Sequence, residues 1–446
     1  MRNSLPQSQP VTLTIAGSDS GGGAGIQADL QAIAATGAFG TSAITAVTAQ
    51  NTQGVEDTHV LPPEQVQAQI TAVLDDFDVD AIKTGMLATA EVIDAVADVV
   101  ADYDIPMVVD PVMIAATGDR LLSEDAEDSY YTLFEHADII TPNADEAETL
   151  AKTHINDNDS AIEAGRELLE SGTGAVLLKG GHIATDPVED ILITDTDVTV
   201  FTHPRVNTSA SHGSGCALAA SIAGRLSHGQ DIHSAVDEAT SFLGRAIRYH
   251  YDLGEGSGAV NHLVDLRNRA TKTKTQSTVS SLVNEIAEIS PRKLIPEVGM
   301  TVVGATPYAE SVEDIAGVDG RINRTVSGIS TDSGVRFGAS SHASRFLLSA
   351  REYNPNLRFA LNARYGSDVM TALTDTSWSI AEASPVETDD HQQRIQHLVD
   401  ETFDDSTSPN VVVDRGGMYS EPLCWLLTEN PQPLKANLET LLALLN

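Results

Sequence analysis

Along residues 11 to about 265, short apolar runs alternate with segments whose apolar positions recur every three to four residues. V-T-L-T-I-A-G reads as a strand, and G-I-Q-A-D-L-Q-A-I-A-A-T-G as a helix stopped by Gly37. T-S-A-I-T-A-V-T-A is strand-like, and P-P-E-Q-V-Q-A-Q-I-T-A-V-L opens a helix with proline in its first turn. Further strands are predicted at D-A-I-K-T-G-M, P-M-V-V-D-P-V-M, D-I-I-T-P-N and G-A-V-L-L-K-G-G, with helical stretches between them. V-E-D-I-L-I-T-D and D-V-T-V-F-T-H-P read as a strand pair, and helices after Gly215 and Asp231 close the block. Such alternation predicts an α/β fold with a mainly parallel sheet and helices on both faces.

The pattern breaks at residues 266–280, L-R-N-R-A-T-K-T-K-T-Q-S-T-V-S, which are polar and poor in apolar positions. A linker is expected there, its first residues able to extend the preceding helix. From 281 to 446 a second α/β block is predicted, with helices at S-H-A-S-R-F-L-L-S-A-R and Q-R-I-Q-H-L-V-D-E-T-F. Its predicted strands include M-T-V-V-G-A, L-R-F-A-L-N-A and N-V-V-V-D-R. A length of 446 residues suits this division into domains 1–265 and 281–446.

Charge changes the picture. Asp and Glu number 64 against 26 Lys and Arg, a formal net charge of -38, and only seven of the basic residues are lysines. Molar salt shortens the Debye length to about 3 Å and relieves such self-repulsion, so a salt-loving host is expected. The regular apolar periodicity argues against acidic disorder. No basic face is visible, so nucleic acid is not an expected partner. No apolar run is long enough for a membrane span, and the N-terminus lacks the apolar segment of a signal peptide. Two cysteines give no disulfide framework, and a cytoplasmic location is expected. Cys424, in E-P-L-C-W-L-L, reads as a buried apolar side chain.

The other cysteine lies in S-A-S-H-G-S-G-C-A-L-A-A-S, residues 209–221, where a glycine-rich loop runs into a helix. Converging N–H groups and the helix dipole make such a turn an anion site that needs no lysine. In the first turn of that helix the Cys216 thiol is expected to have a lowered pKa. It would then act as a base toward a substrate hydroxyl or be a small residue that fits the turn, and both readings stay open. The glycine loop A-G-S-D-S-G-G-G-A-G-I-Q-A-D follows a strand but does not match a dinucleotide fingerprint, and no G-x-x-x-x-G-K-[ST] occurs. D-P-V-M (Asp110), T-P-N-A-D-E (Asn143, Glu146) and L-K-G-G-H (Lys179) sit at predicted strand ends, where open parallel sheets bind ligands. Asparagine and carboxylate oxygens suit Mg²⁺ or its water shell, and lysine suits a phosphate.

The order A-G-S-D-S-G-G-G-A-G-I-Q-A-D, T-A-Q-N-T-Q-G-V, K-T-G-M-L, V-V-D-P-V-M, T-P-N-x-x-E, L-K-G-G-H and H-G-S-G-C resembles the hydroxymethylpyrimidine/phosphomethylpyrimidine kinases of thiamine synthesis, which have the ribokinase-like fold. The resemblance implies two successive phosphoryl transfers from ATP with Mg²⁺, giving the pyrimidine monophosphate and then the diphosphate. It places Gly17, Asp29, Gln50 and Met86 around the pyrimidine, with Val112 nearby. Asp110 and Glu146 would organise Mg²⁺, and Asn143 and Lys179 would face the nucleotide. Gly213, Ser214 and Gly215 would form the anion hole. Cys216 stands where many relatives of this fold carry an aspartate base. Ser214 replaces the more usual threonine.

Residues 281–446 resemble the archaeal-type thiamine-phosphate synthase domain through I-P-E-V-G-M, G-R-I, F-G-A-S-S-H-A-S-R and V-V-D-R-G-G-M-Y-S-E-P. Together with the charge, this suggests a halophilic archaeon as source. The implied reaction joins the pyrimidine diphosphate to thiazole phosphate and releases pyrophosphate. Departing pyrophosphate needs positive charge, which points to Arg321 and His342, and to Arg415. Three alternatives stand beside this reading: a second domain that senses thiamine compounds, a kinase for a pyridoxal-type or sugar alcohol, and an acidic scaffold. Both families imply homodimers.

Overall fold

The computed structural model describes residues 8–115, 118–123, 126–181, 187–208, 210–326, 328–331, 334–386, 388, 390–404, 406–417 and 421–445. Contacts divide the chain into two compact units, Met1–Asp265 and Leu266–Asn446. Among the described residues no helix is long and apolar enough to cross a membrane.

The strands of the first unit are β1 (Val11–Asp19), β2 (Phe39–Asn51), β3 (Gly54–Val60), β4 (Val79–Thr84), β5 (Met107–Val109), β6 (Ile139–Ile140), β7 (Ala175–Leu178), β8 (Val188–Thr194) and β9 (Val198–His203). They form one sheet in the order β3-β2-β1-β4-β5-β6-β7-β8-β9. Pairing is parallel from β2 through β7 and antiparallel at β2–β3, β7–β8 and β8–β9. The expected pair at the far edge is therefore present, while β3 escaped the sequence reading.

The helices of this unit are α1 (Gly25–Thr36), α2 (Pro63–Leu74), α3 (Ala90–Val100), α4 (Tyr130–Phe134), α5 (Ala144–Ala151), α6 (Asn158–Leu169), α7 (Ser214–Leu226) and α8 (Ile232–Arg248). Period-two alternation sends successive strand residues to opposite faces. Ile82, Met107, Val109, Ile140, Val176 and Leu178 join α2 to α6 in one core, while Ala81, Val108, Ile139, Ala175 and Leu177 join α1, α7 and α8 in another. Both faces are thus buried, which is why the central strands read as continuous apolar runs.

Helix α9 (Val264–Ile289) corrects the expected linker: residues 266–280 are helical. The second unit continues with β10 (Val302–Ala305), β11 (Ile315–Val318), β12 (Asn323–Arg324), β13 (Ile329–Ser330), β14 (Val335–Phe337), α10 (Ser341–Tyr353), β15 (Phe359–Arg364), α11 (Ser367–Thr374), β16 (Ile380–Ala383), α12 (His391–Thr402), β17 (Val411–Asp414), β18 (Leu423–Thr428) and α13 (Pro431–Leu444). Its main sheet runs β14-β11-β10-β15-β18-β17-β16 and is antiparallel except at β16–β17. One face packs on α9, α11 and α13, the other on α10 and α12. Cys424 is fully buried in β18, as expected.

Candidate active site

A cavity of about 610 Å³ opens at the carboxyl ends of β1, β4, β5, β6 and β7. Gly17, Gln50, Met86 and Val112 line it, together with Asp110, Asn143, Glu146, Lys179 and the turn from Gly213 to Cys216. A side chain at Gly17 would come within 3.1 Å of Met86 Sδ, so glycine there makes room for the methionine. The sheet edge thus gathers motifs that are far apart in sequence.

Asp110 follows β5 and is 1% exposed. Its Oδ1 accepts from Lys179 Nζ at 2.8 Å and from Thr141 Oγ1 at 3.2 Å. Glu146 lies in the first turn of α5, and its Oε2 is 3.7 Å from Lys179 Nζ. Asn143 caps this helix reciprocally: its Oδ1 accepts from Glu146 N at 2.9 Å, and its own N–H donates to Glu146 Oε2 at 2.8 Å. Asn143 therefore lines the cavity with its side-chain oxygen already engaged, which narrows what it offers a nucleotide to its amide N–H groups. Burial raises Glu146 to about 6, with Lys179 opposing the rise and Asp110 adding to it. Lys179 keeps its proton: burial works to remove it, but Asp110 and Glu146 hold its pKa above the ordinary value.

Two carboxylates around one lysine leave this corner with net negative charge. Nearby, Tyr130 is fully buried with no hydrogen-bond partner for its hydroxyl. Burial raises its pKa well above the ordinary value, and Glu146 and Asp110 add to the rise. Among the described residues no group of three or more His, Cys, Asp or Glu side chains is placed to hold a metal ion. An all-protein cage is thus not what this corner offers. Two hard oxygen ligands with room for phosphate and water do fit Mg²⁺, which dehydrates reluctantly and usually shares its shell with substrate.

Helix α7 begins beside this corner. Its cap, Gly213, has φ 77°, and a Cβ there would lie 1.8 Å from Gly23 O. A Cβ at Gly215 would lie 3.3 Å from Lys179 Nζ and 3.8 Å from Asp110 Oδ2. The N-terminus of a 13-residue helix, a lysine and an acid therefore converge on one point. Cys216 departs from expectation. Desolvation pushes its thiol up to about 11, against the pull of Lys83, whereas helix position alone predicts a lowered value.

Asp29 also differs from its expected place. It does not line the cavity but is fully buried beneath it. Lys83 Nζ donates to its two oxygens at 2.9 and 2.8 Å, and Thr14 Oγ1 donates at 2.6 Å. Burial alone would neutralise both partners. Asp29 counteracts this at Lys83, whose pKa stays above its ordinary value. Lys83 itself lines the cavity, and sequence reading gave it no role although K-T-G-M-L contains it.

Asp19 and His212 were missed as well. The Asp19 carboxylate accepts from the N–H groups of Gly21, Gly23 and Ala24 at 2.7, 3.0 and 2.7 Å, shaping the first glycine loop. Burial works to raise its pKa, but the bond from His212 and those from Ala24 and Gly21 outweigh it, and the carboxyl sits below its usual range. An aspartate two to five residues before glycines that need an acceptor was the available signal.

In the second unit, Arg321 and His342 meet at the start of α10. Arg321 Nη1 donates to Ser340 Oγ, the α10 cap, at 3.1 Å, and Ser340 Oγ is 2.9 Å from Thr301 Oγ1. The His342 ring lies 5.8 Å from the rings of His391 and Trp425. Burial, and then His391, push its pKa down to about 4, with Arg394 and Arg321 acting the same way and Asp414 opposing. In the free protein this favours the neutral ring at pH 7, so the positive charge expected of His342 is not resident there. Arg415 pairs with Glu382 of β16 rather than with Asp414, which is held by Arg394 at 3.1 Å.

Comparison with known proteins agrees with this geometry. The phosphomethylpyrimidine kinase family model matches residues 19–261, and the model for thiamine-phosphate synthase ThiN matches residues 278–440. The hydroxymethylpyrimidine/phosphomethylpyrimidine kinase of Streptomyces coelicolor is 43% identical over 258 residues, 58% of this chain and 96% of that protein. The thiamine biosynthesis bifunctional protein ThiED of Geobacter sulfurreducens is 44% identical over 262 residues, 58% of this chain. The match covers 54% of that protein, so the chain spans about half of its length. Among solved structures, the Staphylococcus aureus pyridoxal kinase in complex with AMP-PCP and pyridoxal superposes with TM-score 0.54 at 30% identity, covering 57% of this chain and 94% of that one. The first unit thus has the ribokinase-like fold, and a kinase domain precedes a thiamine-phosphate synthase domain.

Proposed function

The chain belongs to the phosphomethylpyrimidine kinase family, and from that premise we propose that it performs consecutive steps of thiamine biosynthesis. The first unit phosphorylates hydroxymethylpyrimidine with ATP and then phosphorylates the product to the diphosphate. The second unit couples the diphosphate to thiazole phosphate and releases pyrophosphate. One observation carries the reading: the walls expected to hold the pyrimidine and the phosphate-facing helix start border one cavity.

In this reading Gln50, Met86, Gly17 and Val112 hold the ring, and the N–H groups at the start of α7 receive the phosphoryl oxygens. Lys179 faces the negative charge that spreads over those oxygens during a loose transfer. Asp110 and Glu146 would hold Mg²⁺, which supplies further charge neutralisation when bound. Cys216 is a thiol in the free protein; once its own proton has left to solvent, the thiolate accepts the proton of the substrate hydroxyl, late because a loose transition state needs little early base assistance. Lys83, anchored by Asp29, favours the thiolate at that moment. In the second unit Arg321 supplies positive charge for departing pyrophosphate, and neutral His342 serves there as a hydrogen-bonding group. A halophilic cytoplasm and a homodimer complete the proposal.

The test is a coupled assay in molar KCl with hydroxymethylpyrimidine, thiazole phosphate, ATP and Mg²⁺, reading each product by mass. Thiamine phosphate is the expected end product. Pyrimidine diphosphate that accumulates without it would recast the second unit as a sensor. Faster turnover of pyridoxal than of the pyrimidine would overturn the substrate assignment.

A further inference from the structure

Beside Gln50, and lining the same cavity, lies a group of polar side chains that the proposed phosphoryl transfer does not use. His212 is 6% exposed and Asp19 2%. His212 Nε2 is 3.3 Å from Asp19 Oδ2, an oxygen that already accepts from Gly23 and Ala24. The same Nε2 is 3.4 Å from the Gln50 side-chain amide, whose other end is 3.2 Å from Thr48 Oγ1. The Thr48 hydroxyl is 2.8 Å from Ser18 O. Gln50 itself sits where the pairing of β2 with β3 shifts register, and its backbone is tied to Ser20 at 2.7 and 2.8 Å.

Donors and acceptors then have one consistent arrangement. A carboxylate only accepts, so His212 Nε2 carries a hydrogen toward Asp19. Thr48 has one hydroxyl hydrogen, and its shorter contact is to Ser18 O, so toward Gln50 it offers a lone pair. With the Gln50 nitrogen toward His212 and the oxygen toward Thr48, donor meets donor at one end and lone pairs meet at the other. Turning the amide by 180° removes both conflicts. The Gln50 oxygen then shares the single Nε2 hydrogen of His212 with Asp19 Oδ2, a three-centre contact in keeping with the 3.4 and 3.3 Å distances; one N–H goes to Thr48, and the second N–H is left for the cavity.

We propose that His212 is a positioning residue that locks the Gln50 amide, so that the cavity reads a hydrogen-bond acceptor on the substrate ring, an unsubstituted ring nitrogen rather than an amino or hydroxyl group. This rests on the pyrimidine-kinase reading of the first unit. Without His212 the amide can turn and present its oxygen, and the ring nitrogen loses its partner.

The full-length protein tests this in a double-mutant cycle on hydroxymethylpyrimidine phosphorylation. His212→Phe and Gln50→Ala are each expected to raise KM about tenfold, with a smaller effect on kcat, and the double variant to raise it no further. His212→Gln, whose amide nitrogen reaches the same region, recovers most of the loss. Single effects that multiply in the double variant, or a loss confined to kcat, overturn the proposal and leave His212 as packing for the turn. Should His212→Phe fail to fold, Thr48→Val removes the other orienting contact and completes the same cycle. A wild-type protein without pyrimidine turnover instead overturns the substrate reading, and with it this proposal.

Discussion

The Asp29–Lys83 and Asp110–Lys179 pairs border the same cavity but are built for different purposes. Both side chains of the first are 0% exposed, and three hydrogen bonds converge on Asp29. One acid meets one base there, so the charge is closed. In the second pair the lysine is 13% exposed, and Glu146 adds another carboxylate 3.7 Å away. That corner has an open charge count, and in the proposed reaction it exchanges partners when phosphate and a cation arrive. A buried pair of the first kind costs desolvation, and in the proposed mechanism it holds Lys83 where its charge acts on Cys216. Position within the fold, rather than residue type, separates scaffold from machinery.

The largest expected effect tests the closed pair. Lys83→Met leaves a buried carboxylate without compensation and should cost about 3–5 kcal/mol of stability by denaturant unfolding. Lys179→Met should unfold closer to wild type, since Thr141 still donates to Asp110 and the Asn143 N–H to Glu146. Equal losses would collapse the distinction. Next, Lys179→Met should lower kinase kcat about 100-fold or more while the protein stays folded, as expected for loss of one preorganised charge at the transferring group.

Cys216 sharpens the contrast from above. With its thiol near 11, alkylation at this residue should accelerate steadily, about tenfold per pH unit, from pH 7 to 10. A plateau near neutrality, followed by mass spectrometry of the modified cysteine, would restore the resident thiolate that helix position predicted. Cys216→Ala should reduce kinase turnover about 100-fold or more while leaving the synthase reaction intact.

The smallest effect concerns His342, whose folded pKa is near 4. An unfolded chain takes up that proton near 6.5, so the contribution to stability is full above that pH and is lost as pH falls toward 4. The denaturation midpoint of wild type should fall over this window, and His342→Gln should show a shallower fall. An unchanged slope would mean that the ring takes up its proton in the folded protein at the same pH as in the unfolded chain.

Much of the first unit was legible because its chemistry sits where apolar runs end. Asp110, Asn143, Glu146 and Lys179 follow strands β5, β6 and β7 directly, and a parallel sheet brings such ends together. What sequence could not supply was pairing across the fold. Nothing in K-T-G-M-L says that Lys83 meets Asp29, 54 positions away, or that His212 meets Asp19, 193 away. Helix α9 was misread for a different reason. Its stretch from Thr271 to Ser281 is rich in Thr and Ser, weak helix formers, and its first half is held by polar contacts: Asn268 to Asp314 at 2.9 Å, Lys272 to Glu313 O at 2.8 Å and Gln276 to Val335 O at 2.6 Å. Hydropathy does not register such contacts, and the apolar stripe of Val279, Leu282, Val283 and Ile286 starts only near its end.

The contact of Gly213 with Gly23 has a bearing on how this scaffold can be re-engineered. A methyl group on either residue would collide with the other loop, at 1.8 Å from Gly23 O in one case and 2.5 Å from the His212 ring in the other. The two turns are complementary castings of a single mould, although almost two hundred residues of chain separate them. A designer who wishes to move this specificity to another vitamin kinase must therefore transplant both turns as a matched set. Either one grafted alone would meet a stranger's side chain where it requires empty space.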